Sequence, residues 1–209
     1  MTVTDGGTVR IGVFGGTFDP PHNAHLAAAA AARDVFGLSE VLMMPAGDPW
    51  QKTASAPITP AHHRLAMTRL LIEGVDRVVA SDVEVRRNGP SFTVDTLRQL
   101  SAPGVTLMLI VGSDALAGLP TWERPKEVLE LADIAVVQRD GPDDPAQSGP
   151  DVVAMMAPDR SIQRFVIPRM DISSSDLRRR MRNGLTVDGL LPWAVASYAL
   201  HHGIYRDQL

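Results

Sequence analysis

The sequence predicts an α/β domain built on a parallel sheet with helices on both faces. Short apolar runs alternate with helix-forming segments along most of the 209 residues, which is typical of successive β-α-β units. A hydrophobic content of 44% is ample for one core of that size. Near the amino terminus a strand, a tight glycine turn and a helix start follow one another directly. We therefore expect a Rossmann-like doubly wound sheet in a single domain over residues 1–209, with a small helical part from about residue 173.

The individual elements follow from the spacing of apolar residues and from helix breakers. The predicted strands cover residues 9–14, 40–44, 77–81, 105–111, 134–138 and 164–168. The predicted helices cover residues 23–36, 59–73, 93–100, a short piece after 114, 125–131, 173–182 and 192–202. Polar and apolar residues alternate over 82–86. Residues 140–160 are rich in Pro, Asp and Gly, with one apolar break at 152–156, and we expect a mobile surface excursion there.

Residues 15–26 read Gly-Gly-Thr-Phe-Asp-Pro-Pro-His-Asn-Ala-His-Leu. Glycines allow the chain to turn where a side chain would clash. The helix that follows should present its first free N–H groups, and the positive end of its dipole, to whatever lies over the strand end. A phosphate is the ligand that such a place favours most naturally. The stretch matches neither the P-loop pattern nor G-x-G-x-x-G, so it is a different phosphate loop.

His22 and His25 lie three residues apart at this helix start, so both rings should face the same anion. Each ring can donate a hydrogen bond to a phosphate oxygen as charge builds on it. The same pair could be zinc ligands, but zinc normally takes a third protein ligand and the stretch offers only Asp19, which we expect to serve the turn. Ordinary surface histidines would explain one of the two, but not both behind this turn.

A second candidate phosphate site begins the helix predicted at 173–182. Ser173, Ser174 and Ser175 can cap that helix in the ordinary way. Arg178, one turn later, favours a further role, because a guanidinium beside free serine hydroxyls and helix amides forms a phosphate cradle.

Residues 15–25 and 172–178 each resemble a motif of the same protein superfamily. Residues 15–25 are similar to the signature of the nucleotidyltransferase superfamily, whose H-x-x-H or H-x-G-H element holds a nucleotide triphosphate. Residues 172–178, Ile-Ser-Ser-Ser-Asp-Leu-Arg, resemble that superfamily's I-S-S-T-x-x-R element. Together with Gly112-Ser113-Asp114, Thr121-Trp122 and the closing segment 191–205, they resemble the bacterial nicotinate-nucleotide adenylyltransferases over nearly the whole chain.

The resemblance implies transfer of the adenylyl group of ATP to nicotinate mononucleotide, giving deamido-NAD and pyrophosphate, with Mg²⁺ arriving on ATP. It implies catalytic roles on the triphosphate for His22, His25 and Arg178. The ATP-binding residues it implies are Gly15, Gly16, Thr17, Phe18, His22, His25, Gly112, Asp114, Ser173, Ser174 and Arg178. The substrate-binding residues it implies are Lys52, Thr93, Asp114, Trp122, Glu123 and Arg139.

On the mononucleotide side, the resemblance implies that Trp122 stacks on the pyridine ring and that backbone N–H groups around Thr93 and Glu123 receive its carboxylate. A half-buried core position is the commoner place for a tryptophan. Lys52 matches a basic residue that the family uses on the mononucleotide's phosphate. Its loop departs from the family pattern Asn-x-Pro-Pro-His-Lys/Arg, because residues 47–52 read Gly-Asp-Pro-Trp-Gln-Lys, and it leaves Trp50 without an assigned role.

Composition limits the remaining function classes. A net charge of −4 argues against a general nucleic-acid binder. The absence of cysteine excludes disulfides and thiolate catalysis. Neither a signal peptide nor an apolar run of about 20 residues is present, so we expect a cytoplasmic protein that does not span a membrane. His62, His63, His201 and His202 are expected on the surface, and the sequence leaves open whether the chain forms a homo-oligomer.

Three alternatives stay open. The first is the same chemistry with another acceptor, either phosphopantetheine or nicotinamide mononucleotide. The second is a nucleotide sensor without catalysis, and the third is a hydrolase with a metal on the histidines.

Overall fold

Six parallel strands form the centre of the molecule, in the order β3-β2-β1-β4-β5-β6. The computed structural model describes residues 8–50, 57–140 and 152–206. The strands are β1 (Val9–Gly16), β2 (Glu40–Pro45), β3 (Val78–Ala80), β4 (Val105–Gly112), β5 (Ala132–Arg139) and β6 (Ile162–Ile167). Every neighbouring pair is parallel. The predicted parallel sheet is confirmed, and each strand lies within about two residues of its expected position.

Helices connect the strands. They are α1 (Asn23–Val35), α2 (Ala61–Leu71), α3 (Val83–Arg86), α4 (Thr93–Leu100), α5 (Ser113–Ala117), α6 (Pro125–Leu131), α7 (Val152–Met156), α8 (Ser174–Arg182) and α9 (Trp193–His201), with a 3₁₀ turn at Leu119–Thr121. The expected helices after residues 60, 92, 124, 173 and 192 are confirmed. Among the described residues, no helix is both long and apolar enough to cross a bilayer.

Apolar side chains of the strands point alternately to two cores, as a sheet covered on both faces requires. On one face, Phe14, Met108 and Ile110 are buried with residues of α1, α2, α8 and α9. On the other face, Val13 and Leu109 are buried with residues of α4, α6 and α7. The doubly wound fold is therefore confirmed, and the two carboxy-terminal helices share the first of these cores.

The structure adds one short helix and corrects two expectations. Residues 82–86, where polar and apolar residues alternate, contain the short helix α3. The apolar break in the expected excursion is α7, and its Val153 is fully buried in the second core. Residues 141–151 lie outside the described residues, so mobility there stays a prediction. His63 is only half-exposed, because it packs against Tyr198 of α9 with 2.9 Å between His63 Nδ1 and the Tyr198 hydroxyl.

β1 and β4 lie side by side at the middle of the sheet, although six helices and strands separate them along the chain. The strand order reverses at this pair, because β2 and β3 lie beyond β1 while β5 and β6 lie beyond β4. Such a reversal opens a crevice beyond the carboxyl ends of the two strands, which is where ligands of doubly wound sheets bind.

Candidate active site

A cleft of about 860 Å³ lies at the reversal point, beyond the carboxyl ends of β1, β4 and β5. It brings together residues that are up to 164 positions apart in the sequence. Of the residues expected at the site, those that line it are Gly15, Gly16, Thr17, Phe18, His22, His25, Gly112, Asp114, Arg139, Ser173, Ser174 and Arg178.

The two histidines form a stacked pair on the cleft wall. Their ring centroids are 3.7 Å apart and the ring planes are inclined by 25°. The backbone N–H of His22 donates to Nδ1 of His25 at 3.2 Å. The side chain of His25, the third residue of α1, thus accepts from the N-cap residue as in a capping box. Since Nδ1 accepts this hydrogen bond, neutral His25 carries its proton on Nε2. His25 is therefore held as a donor of fixed tautomer.

His22 is only 5% exposed. Burial, together with the positive charge of Arg139, lowers its pKa from 6.5 to about 4. The ring is therefore neutral near pH 7. Its Nδ1 is buried and has no hydrogen-bond partner in the part of the chain that the structure describes.

Asp19 holds the β1–α1 loop (residues 17–22) to two distant parts of the chain. Its carboxylate accepts a hydrogen bond from the backbone N–H of Thr59 at 3.2 Å and one from the Tyr205 hydroxyl at 2.5 Å. We expected Asp19 to act within its own turn, but its carboxylate binds groups from distant parts of the chain. It fixes the loop to residues 40 and 186 positions later in the sequence.

The start of α8 packs directly on the same loop. Ser173 is the N-cap and its hydroxyl accepts from the N–H of Asp176 at 3.1 Å. Ser174 donates to the carbonyl of Pro20 at 2.9 Å, and Arg178 donates to the carbonyl of Asp19 at 2.7 Å. The expected free serine hydroxyls are thus wrong for Ser173 and Ser174, because both are engaged within the protein. The two sequence motifs form one wall.

The first amides of α1 are also engaged. The N–H of Asn23 donates to the carbonyl of Leu190 at 3.1 Å, and the Asn23 side chain donates to the carbonyl of Gly189 at 2.9 Å. The expectation that the first helix amides face a ligand is therefore wrong for Asn23. The ligand-facing groups at this end of α1 are instead the ring of His25 and the cleft-lining Ala24.

The residues expected on the mononucleotide are divided, because Asp114 and Arg139 line the cleft and the others described do not. Thr93, Trp122 and Glu123 do not line the 860 Å³ cleft. Trp122 is half-buried against the second core. Thr93 begins α4.

An ion pair of 2.5 Å between Arg124 and Asp95 holds the segment after the 3₁₀ turn beside α4. Lys52 lies outside the described residues. Trp50, which the sequence leaves without a role, packs edge-on against Phe92 with 5.7 Å between ring centroids.

Sequence reasoning missed Arg64, which lies behind the cleft. It is 1% exposed, although it is an arginine, and its guanidinium donates to backbone carbonyls of the β1–α1 loop and of the loop after β2. A signal was available, because Met67 and Leu71 follow Arg64 at the helical spacing i+3 and i+7 and the whole stripe is buried.

Among the described residues, no group of three His, Asp or Glu side chains is placed to hold a metal ion. The zinc alternative for His22 and His25 therefore finds no third ligand there. Asp114 lines the cleft and Asp19 is taken up by its two hydrogen bonds, so this part of the chain offers no protein cage for Mg²⁺ either.

Comparisons with known proteins identify the family. The family model described as cytidylyltransferase-like matches residues 13–180. A protein of Leifsonia xyli subsp. xyli named "Probable nicotinate-nucleotide adenylyltransferase" is 39% identical over 209 residues, which cover 99% of this chain and 99% of that protein. A protein of the same name from Thermomicrobium roseum is 40% identical over 94% of this chain and 92% of its own length.

Solved structures match the fold. The Plasmodium falciparum nicotinic acid mononucleotide adenylyltransferase complexed with NaAD superposes with a TM-score of 0.77, over 94% of this chain and 97% of that chain, at 18% identity. The same enzyme complexed with APC gives a TM-score of 0.74 over the same shares. At that identity the likeness concerns the fold, whereas the sequence relatives fix the family. The chain therefore belongs to the cytidylyltransferase-like family and, within it, to the nicotinate-nucleotide adenylyltransferases.

Proposed function

We infer that this chain transfers the adenylyl group of ATP to nicotinate mononucleotide, forming deamido-NAD and pyrophosphate as a step of NAD biosynthesis. One observation carries the assignment to the cleft. Residues 15–25 and 172–178, which carry the resemblance at opposite ends of the chain, lie in one wall at the carboxyl edge of the sheet. We infer the acceptor, nicotinate mononucleotide, from the names of the sequence relatives.

The reaction requires little from the protein beyond positioning and charge neutralisation. A phosphate oxygen of the mononucleotide attacks the α-phosphorus of ATP, the new P–O bond forms, and the bond from the α-phosphorus to the bridging oxygen breaks. The electron pair leaves on pyrophosphate. The attacking oxygen already carries negative charge, so no general base is needed.

Two residues of the wall, His25 and Arg178, can stabilise the negative charge that builds on the leaving phosphates. The Nε2–H of His25 is a donor of fixed tautomer, and neutral His22 stacks on it. Donors that are fixed before reaction stabilise a transition state without reorganisation. Arg178 supplies a permanent positive charge beside them, anchored through the carbonyl of Asp19.

Mg²⁺ belongs to this proposal as an ion that enters with ATP. Held by the triphosphate and water, it would shield the leaving pyrophosphate. The described residues offer no cage for it, so no step of the reaction is assigned to a protein-bound metal. A cytoplasmic location stays a prediction from the sequence.

For the mononucleotide, we propose that the pyridine ring binds at Trp122 and that its carboxylate binds backbone N–H groups near Thr93 and Glu123. The ion pair between Arg124 and Asp95 supports this, because it holds the segment of Trp122 beside the start of α4. An amide in place of the carboxylate leaves one N–H donor unpaired, at a cost of about 1–3 kcal/mol.

The test is pyrophosphate release from ATP and Mg²⁺ with each of three acceptors. We expect turnover with nicotinate mononucleotide, a kcat/KM lower by about 10- to 100-fold with the amide, and no turnover with phosphopantetheine. Equal rates with acid and amide would refute the proposed carboxylate pocket. No release with any acceptor would refute the enzyme and favour a nucleotide sensor. When His25→Ala is measured in the same assay, His62→Ala is its matched control, because His62 is exposed and outside the cleft.

A further inference from the structure

The guanidinium of Arg64 lies between two loops, and its hydrogen bonds to the described residues go to backbone carbonyls of three separate segments. Its Nε donates to Thr59 at 2.8 Å and one terminal nitrogen to Thr17 at 2.8 Å. The other terminal nitrogen donates to Ala46 at 2.5 Å and to Gly47 at 3.2 Å. We call this set the Arg64 clamp.

Placing a cation here is costly. Arg64 is 1% exposed, and its acceptors in the clamp are neutral. Asp19 and Glu84 are the carboxylates whose charge favours it, while burial lowers its pKa. A buried charge is kept only when its geometry and hydrogen bonds are good. An apolar side chain at this position would leave all four carbonyls without this donor, so the guanidinium is what ties the three segments together.

The clamp joins the two sides of the proposed reaction. Thr17 belongs to the β1–α1 loop on the ATP side. Ala46 and Gly47 begin the loop after β2 (residues 46–50 in the described part), which in the sequence precedes Lys52, the residue expected on the mononucleotide's phosphate. A planar guanidinium with a fixed fork of donors sets the spacing of these loops more tightly than a flexible ammonium can.

The loop after β2 is also held from its other side. The hydroxyl of Ser91 accepts the N–H of Gly47 at 2.9 Å and that of Asp48 at 3.2 Å. A Cβ on Gly47 would lie 2.2 Å from the carbonyl oxygen of Glu84, so α3 presses directly on the loop. Arg64 and Ser91 therefore hold residues 46–48 from two sides. Arg64 holds them from the side of the β1–α1 loop.

We propose that Arg64 is a positioning residue for adenylyl transfer, which holds the loop after β2 at a fixed distance from the β1–α1 loop so that the mononucleotide's phosphate meets the α-phosphorus of ATP in line. This inference rests on the proposed function. Arg64 acts through the two loops and touches neither substrate.

The effect falls mainly on the mononucleotide side. The β1–α1 loop keeps other anchors without Arg64, because Arg178, Ser174 and Tyr205 all hold it. The loop after β2 keeps the hydrogen bond from the Ala46 N–H to the carbonyl of Gly16 at 2.9 Å, but it loses both hydrogen bonds from the guanidinium, which are the ones that link it to Thr17 and Thr59. Misplacement of about 1 Å by a change far from the reacting atoms can lower a rate about 10²-fold.

The experiment compares steady-state kinetics of Arg64→Met, Arg64→Lys and the unaltered chain. For Arg64→Met we expect kcat/KM for nicotinate mononucleotide to fall about 10²-fold, through a lower kcat and a higher KM, with the KM for ATP unchanged. Arg64→Lys keeps the charge and some of the hydrogen bonds, so it should recover part of kcat.

Leu71→Ala is the matched control. Leu71 is 2% exposed on the same helix and lies in the first core, so this variant loses stability without touching the clamp. Its kinetic constants should equal those of the unaltered chain once the folded fraction is measured. If Arg64→Met does not fold, Arg64→Lys carries the same comparison.

The inference is overturned if the folded Arg64 variants keep kcat and both KM values, as a purely structural residue would, or if both KM values rise equally. Failure of the proposed function is distinguishable from this, since the unaltered chain would then release no pyrophosphate.

Discussion

Replacing His22 with Gln should remove part of the acid sensitivity of the fold. In the folded chain the pKa of His22 is about 4, below its ordinary value of 6.5, because the ring is buried and near Arg139. Above pH 6.5 the ring is neutral in both the folded and the unfolded chain, so it adds nothing. As the pH falls below 6.5, only the unfolded chain takes up the proton, and the free energy of unfolding decreases.

The size of the effect follows from the two pKa values. The fall from 6.5 to about 4, at about 1.4 kcal/mol per pKa unit, gives a loss of about 3 kcal/mol once the pH is below 4. At pH 5 the loss is about 2 kcal/mol. His22→Gln lacks this loss, whatever constant difference in stability the substitution adds.

Urea unfolding followed by circular dichroism at pH 7, 6, 5 and 4.5 measures it. The quantity to plot is the difference in free energy of unfolding between the unaltered chain and His22→Gln. That difference should shift in favour of the variant as the pH falls, and His62→Gln, which changes an exposed ring, should show no such shift. Parallel curves for the unaltered chain and His22→Gln would refute the assignment of a buried neutral His22.

Three further substitutions test other parts of the site. His25→Ala removes a fixed donor and should lower kcat about 10²- to 10³-fold in the pyrophosphate assay, and near-normal turnover would contradict its role. Gly47→Ala places a Cβ 2.2 Å from the Glu84 carbonyl oxygen. It should lower the free energy of unfolding by about 1–3 kcal/mol and lower kcat/KM for the mononucleotide. Unchanged values of both would show that the loop after β2 can move away from α3 without cost. Tyr205→Phe leaves the buried Asp19 carboxylate without one donor and should lower the free energy of unfolding by about 1.5–3 kcal/mol in urea. Tyr198→Phe, which removes a hydroxyl that contacts the half-exposed His63, should lower it less.

The sequence was sufficient for the sheet and for the two motifs that meet in the cleft wall, because both depend on local patterns. Buried parallel strands are continuous apolar runs, and β4 is the clearest of them. The histidine pair and the Ser-Arg start of α8 are short motifs whose spacing places them on helix ends. The strand order then brings both motifs to one edge, as the α/β alternation predicts.

Long-range pairing was beyond the sequence. The Ser174 hydroxyl and the first α1 amide were expected to be free, but they donate to the carbonyls of Pro20 and Leu190. Nothing local shows which distant carbonyl will meet a donor. Arg64 was missed for a related reason, since its residue type argues for the surface and only its buried neighbours in the helix argue otherwise.

The returning carboxy-terminal segment sets an order of events during synthesis. Ser174, Arg178 and Tyr205 reach back 154, 159 and 186 residues to the loop around Asp19. The β1–α1 loop is therefore synthesised more than 150 residues before the groups that hold it. A nascent chain can build much of its sheet earlier, but this wall of the cleft is held in full only after residue 205 has been added. A chain that stops before residue 174 would carry residues 15–25 without any of these three hydrogen bonds.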